Sequence, residues 1–480
     1  MTEHSSFHVV TVGWPQVLIE ELCADIAARS SARFSHIAHP RHTANDWSGQ
    51  TAPGTIRFFR NTTRETLPPA DPEFLASLEQ EGVPTMHNMI LGDRVVCRFE
   101  YAEAQRYATF IARRLFDLFG ETRPSVVVGG FDSIHGGLAL AVARRMGIPW
   151  FALHFSVLPP GLACFCDRMS PAARVQLATR PRPELRRLAE SALQQFEGRN
   201  IQAYAYAPPR RSIGRTVRKI PGRIASLSRA FRKSLDRDFA RFAEVETRYD
   251  PIAALRQLSR SRRARQALDD ADAVATPPGS PYVLFGMHMQ PESSIDVWAP
   301  FFSNQMWVIE TLSRCIPPTH KLLVKIHKSD ISNHSGAALK RMRSYPGVEL
   351  VQPAADSRSF IENADLVVAI QGTMGLEAAL LGRPVVLLGD SPVAVFPSAS
   401  QAGTLPELPG LVRVKLAESP PRRDEIIEAY ASYLAPFLPA SHNDWRTRKG
   451  AAEVEGFVTL FDSLRAYLAE RTATSARAAT

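Results

Sequence analysis

The chain reads as an α/β protein with two Rossmann-like halves, a helical arginine-rich insertion between them, and further helices at the C-terminus. Three observations predict this. Short apolar runs rich in β-branched residues recur along the chain: FHVVT (7–11), SVVVG (125–129), YVLFGMHM (282–289), LLVKIH (322–327) and ADLVVAI (364–370). Such runs mark strands buried on both faces of a parallel sheet. Most are followed by a turn and then a helix-like segment, the βαβ pattern. ATPPGSP (275–281) is the clearest linker and separates the two halves. A length of 480 residues suggests two to three domains. The expected segments are an N-terminal Rossmann-like domain over 1–164, a basic helical insertion over 165–274, the linker 275–281, a C-terminal Rossmann-like domain over 282–422, helices over 423–470 and a disordered tail over 471–480.

Composition narrows the class. Apolar residues make up 45% and charged residues 22%, ordinary for a soluble globular protein. No apolar run approaches the ~18–20 residues that span a bilayer. MTEHSSFHVVTVGW carries Glu3 and no basic stretch, unlike a signal peptide, so a cytoplasmic location is expected. The five cysteines (Cys23, Cys97, Cys164, Cys166, Cys315) are scattered, and the Cys164–Cys166 pair has no second pair to make a zinc site. The net charge of +9 is local. Ten basic residues lie between Arg210 and Arg237 against one acid, Asp236. That segment alone matches the excess of the whole chain, which argues against nucleic acid as a partner.

In the first half, 15–28 and 101–119 have helical apolar spacing, and 36–75 shows no clear pattern. After SVVVG comes GFDSIHGG, which places Asp132, Ser133 and His135 at a strand–helix turn. Asp132 or Ser133 suits a helix N-cap, and either Asp132 or His135 suits proton transfer at an acceptor hydroxyl. In the insertion, an apolar stripe from Ile213 to Phe242 lies opposite a cationic face carrying Arg229, Arg232 and Lys233. This fits a core-facing amphipathic helix or a helix lying on anionic lipid headgroups.

The second half holds the densest chemistry. Lys325 and His327 share one strand face at its C-terminal end and suit a phosphate clamp, or a solvated strand end. QGTMGLEAALLG (371–382) follows a buried strand and opens a helix. Gln371, Gly372 and Thr373 sit where open α/β sheets bind ligands, and freed helix-start amides suit a phosphate. Gly372 permits close backbone approach. Glu377, one turn on, could accept from ribose hydroxyls, or serve as an N-terminal dipole residue. His288, Gln290 and Ser357 complete the candidate donor-side contacts.

Val324-Lys325-Ile326-His327, Gly372–Ala378, Gly382-Arg383-Pro384-Val385 and the strand and loop 284–294 together resemble bacterial capsule and surface polysaccharide biosynthesis glycosyltransferases, including the capsule-export Kdo transferases. The resemblance covers mainly 280–395, with weaker likeness over 132–149. It implies a GT-B-type arrangement of two Rossmann-like domains facing a cleft, no cofactor and no metal. By position, it implies His327 on the donor phosphate, Gly372 and Thr373 on phosphate or nucleoside, Glu377 on ribose, and Glu292 as the catalytic acid group. Glu292 stands where the family usually has Asp, and Lys328 where Pro usually follows the His. The implied activity is sugar transfer from a nucleotide-sugar donor such as CMP-Kdo to a lipid-linked or polysaccharide acceptor, at the inner membrane face beside capsule-assembly proteins. The alternatives are a nucleotide-sugar epimerase or hydrolase of the same fold, and a non-catalytic polysaccharide-assembly protein.

Overall fold

The computed structural model describes residues 7–12, 16–38, 55–57, 67–94, 96–131, 133–201, isolated positions over 259–268, and residues 273–328, 330–441 and 451–478. The described residues divide into two compact units. One draws on 7–179 and 436–478, the other on 180–201 and 259–435, so the stretch 275–281 expected to link the halves lies inside the second unit, whose core also takes Ala264, Leu268 and Ala273 ahead of it.

The first unit is built on β1 (Phe7–Val12), β2 (Ala32–Ala38), β3 (Thr55–Arg57), β4 (Val126–Gly129), β5 (Trp150–Phe155), β6 (Leu162–Cys166) and β7 (Arg174–Val175). β3-β2-β1-β4-β5 run parallel in that order. This is a Rossmann half-order, with crossovers leaving β1 in both directions. β6 then pairs antiparallel with β5, with β7 and with the short strand Leu438–Pro439. β4 reads VVVG because both its faces are covered, and all four residues are buried. The helix Ala451–Ala478 closes one face. Its Phe461 meets Phe34 edge-on at 5.3 Å between centroids and Phe165 at 5.5 Å, in a core shared with Leu22 and Ile26.

The second unit holds β8 (Tyr282–Gly286), β9 (Lys321–Lys325), β10 (Val348–Val351), β11 (Leu366–Ala369), β12 (Val385–Leu387) and β13 (Ala399–Gln401). All six are parallel, in the order β10-β9-β8-β11-β12-β13. Counted from β8 this is 3-2-1-4-5-6, the full dinucleotide-fold order. Both Rossmann-like halves expected from sequence are therefore present. The helix Gln305–Cys315 starts at Asn304, whose Oδ1 accepts from Trp307 N at 3.2 Å. The helix Ser357–Asn363 starts at Asp356, which accepts from Arg358 N and Ser359 N.

Several details differ from expectation. β2 and β3 fall where no pattern was read. β2 does alternate, with Phe34 and His36 buried on one face, but the buried polar His36 blurs the signal. The expected helical insertion from 165 begins with the end of β6 and then β7. Its helix Arg182–Glu197 belongs to the second unit, where Arg182 and Arg186 pair with Glu428 and Arg186 also pairs with Asp424. Arg358 stacks over Phe196 at 4.0 Å. The tail expected to be disordered from 471 is helical to Ala478. The helices expected together over 423–470 are divided: Arg423–Leu434 lies in the second unit and Ala451–Ala478 in the first. Cys164 and Cys166 are buried neighbours on one face of β6, and none of the five cysteines is in a disulfide.

Candidate functional site

The order of the second sheet reverses between β8 and β11. The loops leaving their C-terminal ends flank a crevice, where open α/β sheets take ligands. Those loops carry His288, Gln290 and Glu292 on one side, and Gln371, Gly372 and Thr373 on the other.

Gly372 is the pivot. Its φ of +90° and ψ of −170° belong to a region that side chains avoid. A Cβ there would lie 3.0 Å from His288 Cε1. Gly372 is also the N-cap of the helix Thr373–Leu380 and brings no capping side chain. The first-turn amides thus stand open to an incoming acceptor, and a phosphate fits both them and the helix dipole.

A directional hydrogen-bond chain joins this turn to the opposite loop. Gln371 N–H donates to His288 Nε2 at 3.3 Å. His288 Nδ1 lies 3.3 Å from Ser294 Oγ, and Ser294 Oγ donates to Glu292 Oε2 at 2.7 Å. Only a neutral imidazole protonated at Nδ1 satisfies all three bonds. Burial agrees: it pushes the His288 pKa down to about 4, although the ring keeps an exposed edge. Glu292 Oε2 is thereby held facing a hydroxyl donor.

Two buried side chains that the sequence did not flag hold this loop. Gln305, 4% exposed, accepts from His288 N at 2.7 Å and donates to His288 O at 3.0 Å and Gln290 Oε1 at 2.8 Å. Asp330, 2% exposed, accepts from Gln290 N, Asn333 Nδ2 and His334 Nε2 at 3.3, 2.6 and 2.9 Å. Asp296 adds bonds from Gln290 Nε2 and Glu292 N, each at 2.8 Å. Gln290 is thus fixed by its neighbours rather than free to turn toward a ligand.

The expected Lys325–His327 clamp separates into two parts. Lys325 does not face open space: it is 6% exposed and donates to the Gln352 and Pro353 carbonyls at 3.4 and 3.2 Å. Burial lowers its pKa to about 8. His327, just past the end of β9, is exposed. Partial burial lowers its pKa, while Glu292 and Asp330 act in the opposite sense. Gln371 is 3% exposed and its side chain donates to the Asp390 carbonyl, so only its backbone faces His288.

Glu377 lies on the helix Thr373–Leu380, hydrogen-bonded to the Thr373 side chain. Burial raises its pKa to about 7, with Arg358 opposing and Asp356 reinforcing. Ser357 is half-buried at the start of the next helix, and Asp356 rather than Ser357 supplies the cap.

In the first unit, His135 is 1% exposed and bonds Tyr107 OH through Nε2 at 3.0 Å. It sits in the interior and not at an open edge. Ser133 holds the N-cap position without a capping bond; Asp93, fully buried, instead accepts from Ile134 N at 2.9 Å. Asp132, Arg229, Arg232 and Lys233 lie outside the described residues. Among the described residues, no helix is long and apolar enough to cross a membrane.

Residues 235–397 match the family model described as capsule polysaccharide biosynthesis protein. The span includes both loops of the site. Solved structures similar to the chain include two of Thermosulfurimonas dismutans KpsC. The beta Kdo 2,4 transferase is 16% identical over 66% of this chain and 82% of its own, with a TM-score of 0.37. The beta Kdo 2,7 transferase is 10% identical over 74% and 89%, with a TM-score of 0.33. The Neisseria meningitidis UDP-GlcNAc 2-epimerase is 11% identical over 89% and 96%, with a TM-score of 0.28. No curated protein matches the chain.

Proposed function

We propose that the protein is a glycosyltransferase of capsule or surface polysaccharide biosynthesis, taking a nucleotide-sugar donor in its second unit. One observation carries this reading: an uncapped helix start at Gly372, at the switch point of a 3-2-1-4-5-6 sheet, wired to a carboxylate on the facing loop. The family match over 235–397 supports it.

In this reading the donor phosphate rests on the amides of Gly372 and Thr373, with His327 as a second donor and Glu377 on the ribose. The bond between the anomeric carbon and the phosphate oxygen breaks, and the electron pair leaves with the nucleotide. Helix amides and His327 stabilise that charge. Glu292 works on the sugar side as a carboxylate opposite the developing positive charge. Asp132 takes the acceptor proton, and His135 is assigned to packing with Tyr107. Lys325 secures the β9 end from below. The acceptor is a lipid-linked or polysaccharide hydroxyl, and the basic segment at Arg229, Arg232 and Lys233 docks on anionic lipid.

Purified protein screened with CMP-, UDP- and GDP-sugars tests the donor half. The expected result is thermal stabilisation by one nucleotide class and nucleotide release that depends on acceptor. Release without any acceptor would favour a hydrolase or epimerase, and stabilisation by no nucleotide would refute donor binding. For the membrane half, co-sedimentation with anionic vesicles should be lost in R229E/R232E/K233E; binding unaffected by the change removes that part.

A further inference from the structure

We propose that Asp330 is a positioning residue for the donor site, a single buried carboxylate that holds the Glu292 loop and the His327 loop in one arrangement. The inference rests on the donor-site reading above. Sequence puts Asp330 40 residues from Gln290, with no motif joining them. The fold brings them together because β8 and β9 are adjacent parallel strands and their exits lie side by side.

The geometry is that of an anchor. Asp330 Oδ1 accepts from Gln290 N on the β8 loop and from Asn333 Nδ2, and Oδ2 accepts from His334 Nε2. Asn333 Nδ2 also reaches back to Gln290 O at 3.0 Å. Asp330 N donates to His327 O at 2.8 Å, closing the turn that carries the phosphate-facing imidazole. Asp330 therefore bonds through its side chain to one loop and through its backbone to the other. A buried carboxylate with three donors is stable only while all of them stay in place. Displacing the β8 loop costs Asp330 the Gln290 N–H and breaks the Asn333 bond to Gln290 O, so the two loops are coupled through Gln290.

The anchor also sets charge. The charged groups facing His327 are Glu292 and Asp330, which favour its protonated form, and Lys328 and Lys325, which oppose it; the neighbouring titratable ring is His288, whose own pKa His327 lowers. Removing one carboxylate leaves the two lysines less opposed, and the imidazole then loses its proton at lower pH.

The test is a titration of His327 in histidine-labelled full-length protein, with the resonance assigned by H327Q. D330N preserves size and removes the charge. Its His327 midpoint should fall by about half to one pH unit, the scale for one nearby charge under solvent screening. In H334A the charge remains, so His327 should keep its midpoint while the Gln290 amide exchanges faster with solvent. An unmoved midpoint in D330N overturns the charge role, and an unchanged Gln290 amide in both variants overturns the anchor. If D330N does not fold, H334A and N333A still decide the anchor through Gln290 exchange. Neither readout needs a nucleotide. Failure of the wild type to bind any nucleotide would therefore sink the donor-site reading while leaving the Asp330 result to stand or fall by itself.

Discussion

Gly372→Ala isolates the conformation on which the candidate site depends. At φ +90° and ψ −170° an alanine is strained by about 1–3 kcal/mol. Its Cβ would also lie 3.0 Å from His288 Cε1, so the ring must shift. That shift breaks the bond from Gln371 N–H to His288 Nε2, worth about 1 kcal/mol. The sum, about 2–4 kcal/mol, lowers Tm by roughly 4–16 °C in a unit of this size. Gly410→Ala is the matched control. Gly410 lies in the helix Leu408–Ala417, its added Cβ would meet nothing within 4 Å, and alanine there should stabilise by about 0.5–1 kcal/mol. Denaturant titration of both variants, with and without the nucleotide found to stabilise the wild type, reads the two effects. The expected pattern is opposite signs in stability, with ligand stabilisation abolished only in G372A. A G372A protein as stable as wild type, with its ligand response intact, would refute the reasoning.

Glu377→Gln should trade function for stability. The Glu377 pKa is raised to about 7, so burial favours the protonated form, and the stability this contributes is lost as pH rises from about 4.5 through 7. At pH 8 E377Q should therefore be more stable than wild type by about 1–3 kcal/mol while binding donor more weakly; equal stability at pH 8 counts against the buried carboxylate. His36, His154 and His288 are each pushed down to about 4 by burial. Their neutral forms are favoured in the fold, so stability present above pH 6.5 should drain between pH 6.5 and 4 as the unfolded chain takes up protons. A flat stability profile across that window would be inconsistent with three buried neutral rings.

Much of the site could be read in the chain because its parts are local. Gly372 announces a tight strand–helix turn, and LVVA before it announces a buried strand. What escaped was long-range. Gln305 meets His288 across 17 residues, Asp330 meets Gln290 across 40, and Asp93 meets Ile134 across 41. None of these pairs has periodicity or spacing to betray it, because the sheet order brings them together. Lys325 shows the reverse error. Strand alternation fixed its face, but not that the Gln352 and Pro353 carbonyls would take its ammonium group.

The helix Arg182–Glu197 has a consequence for how such a protein can be inherited. It precedes the Pro- and Gly-rich stretch 275–281, expected from sequence to be the linker, yet packs in the unit that contains that stretch. A genetic crossover in that stretch looks like a clean exchange of halves. It would instead give one parent's Arg182, Arg186 and Phe196 to a surface shaped by the other parent's Glu428, Asp424 and Arg358. Shuffling between relatives is thus penalised at the Pro- and Gly-rich stretch whose sequence invites it. The second unit transplanted as a block must bring this earlier helix with it.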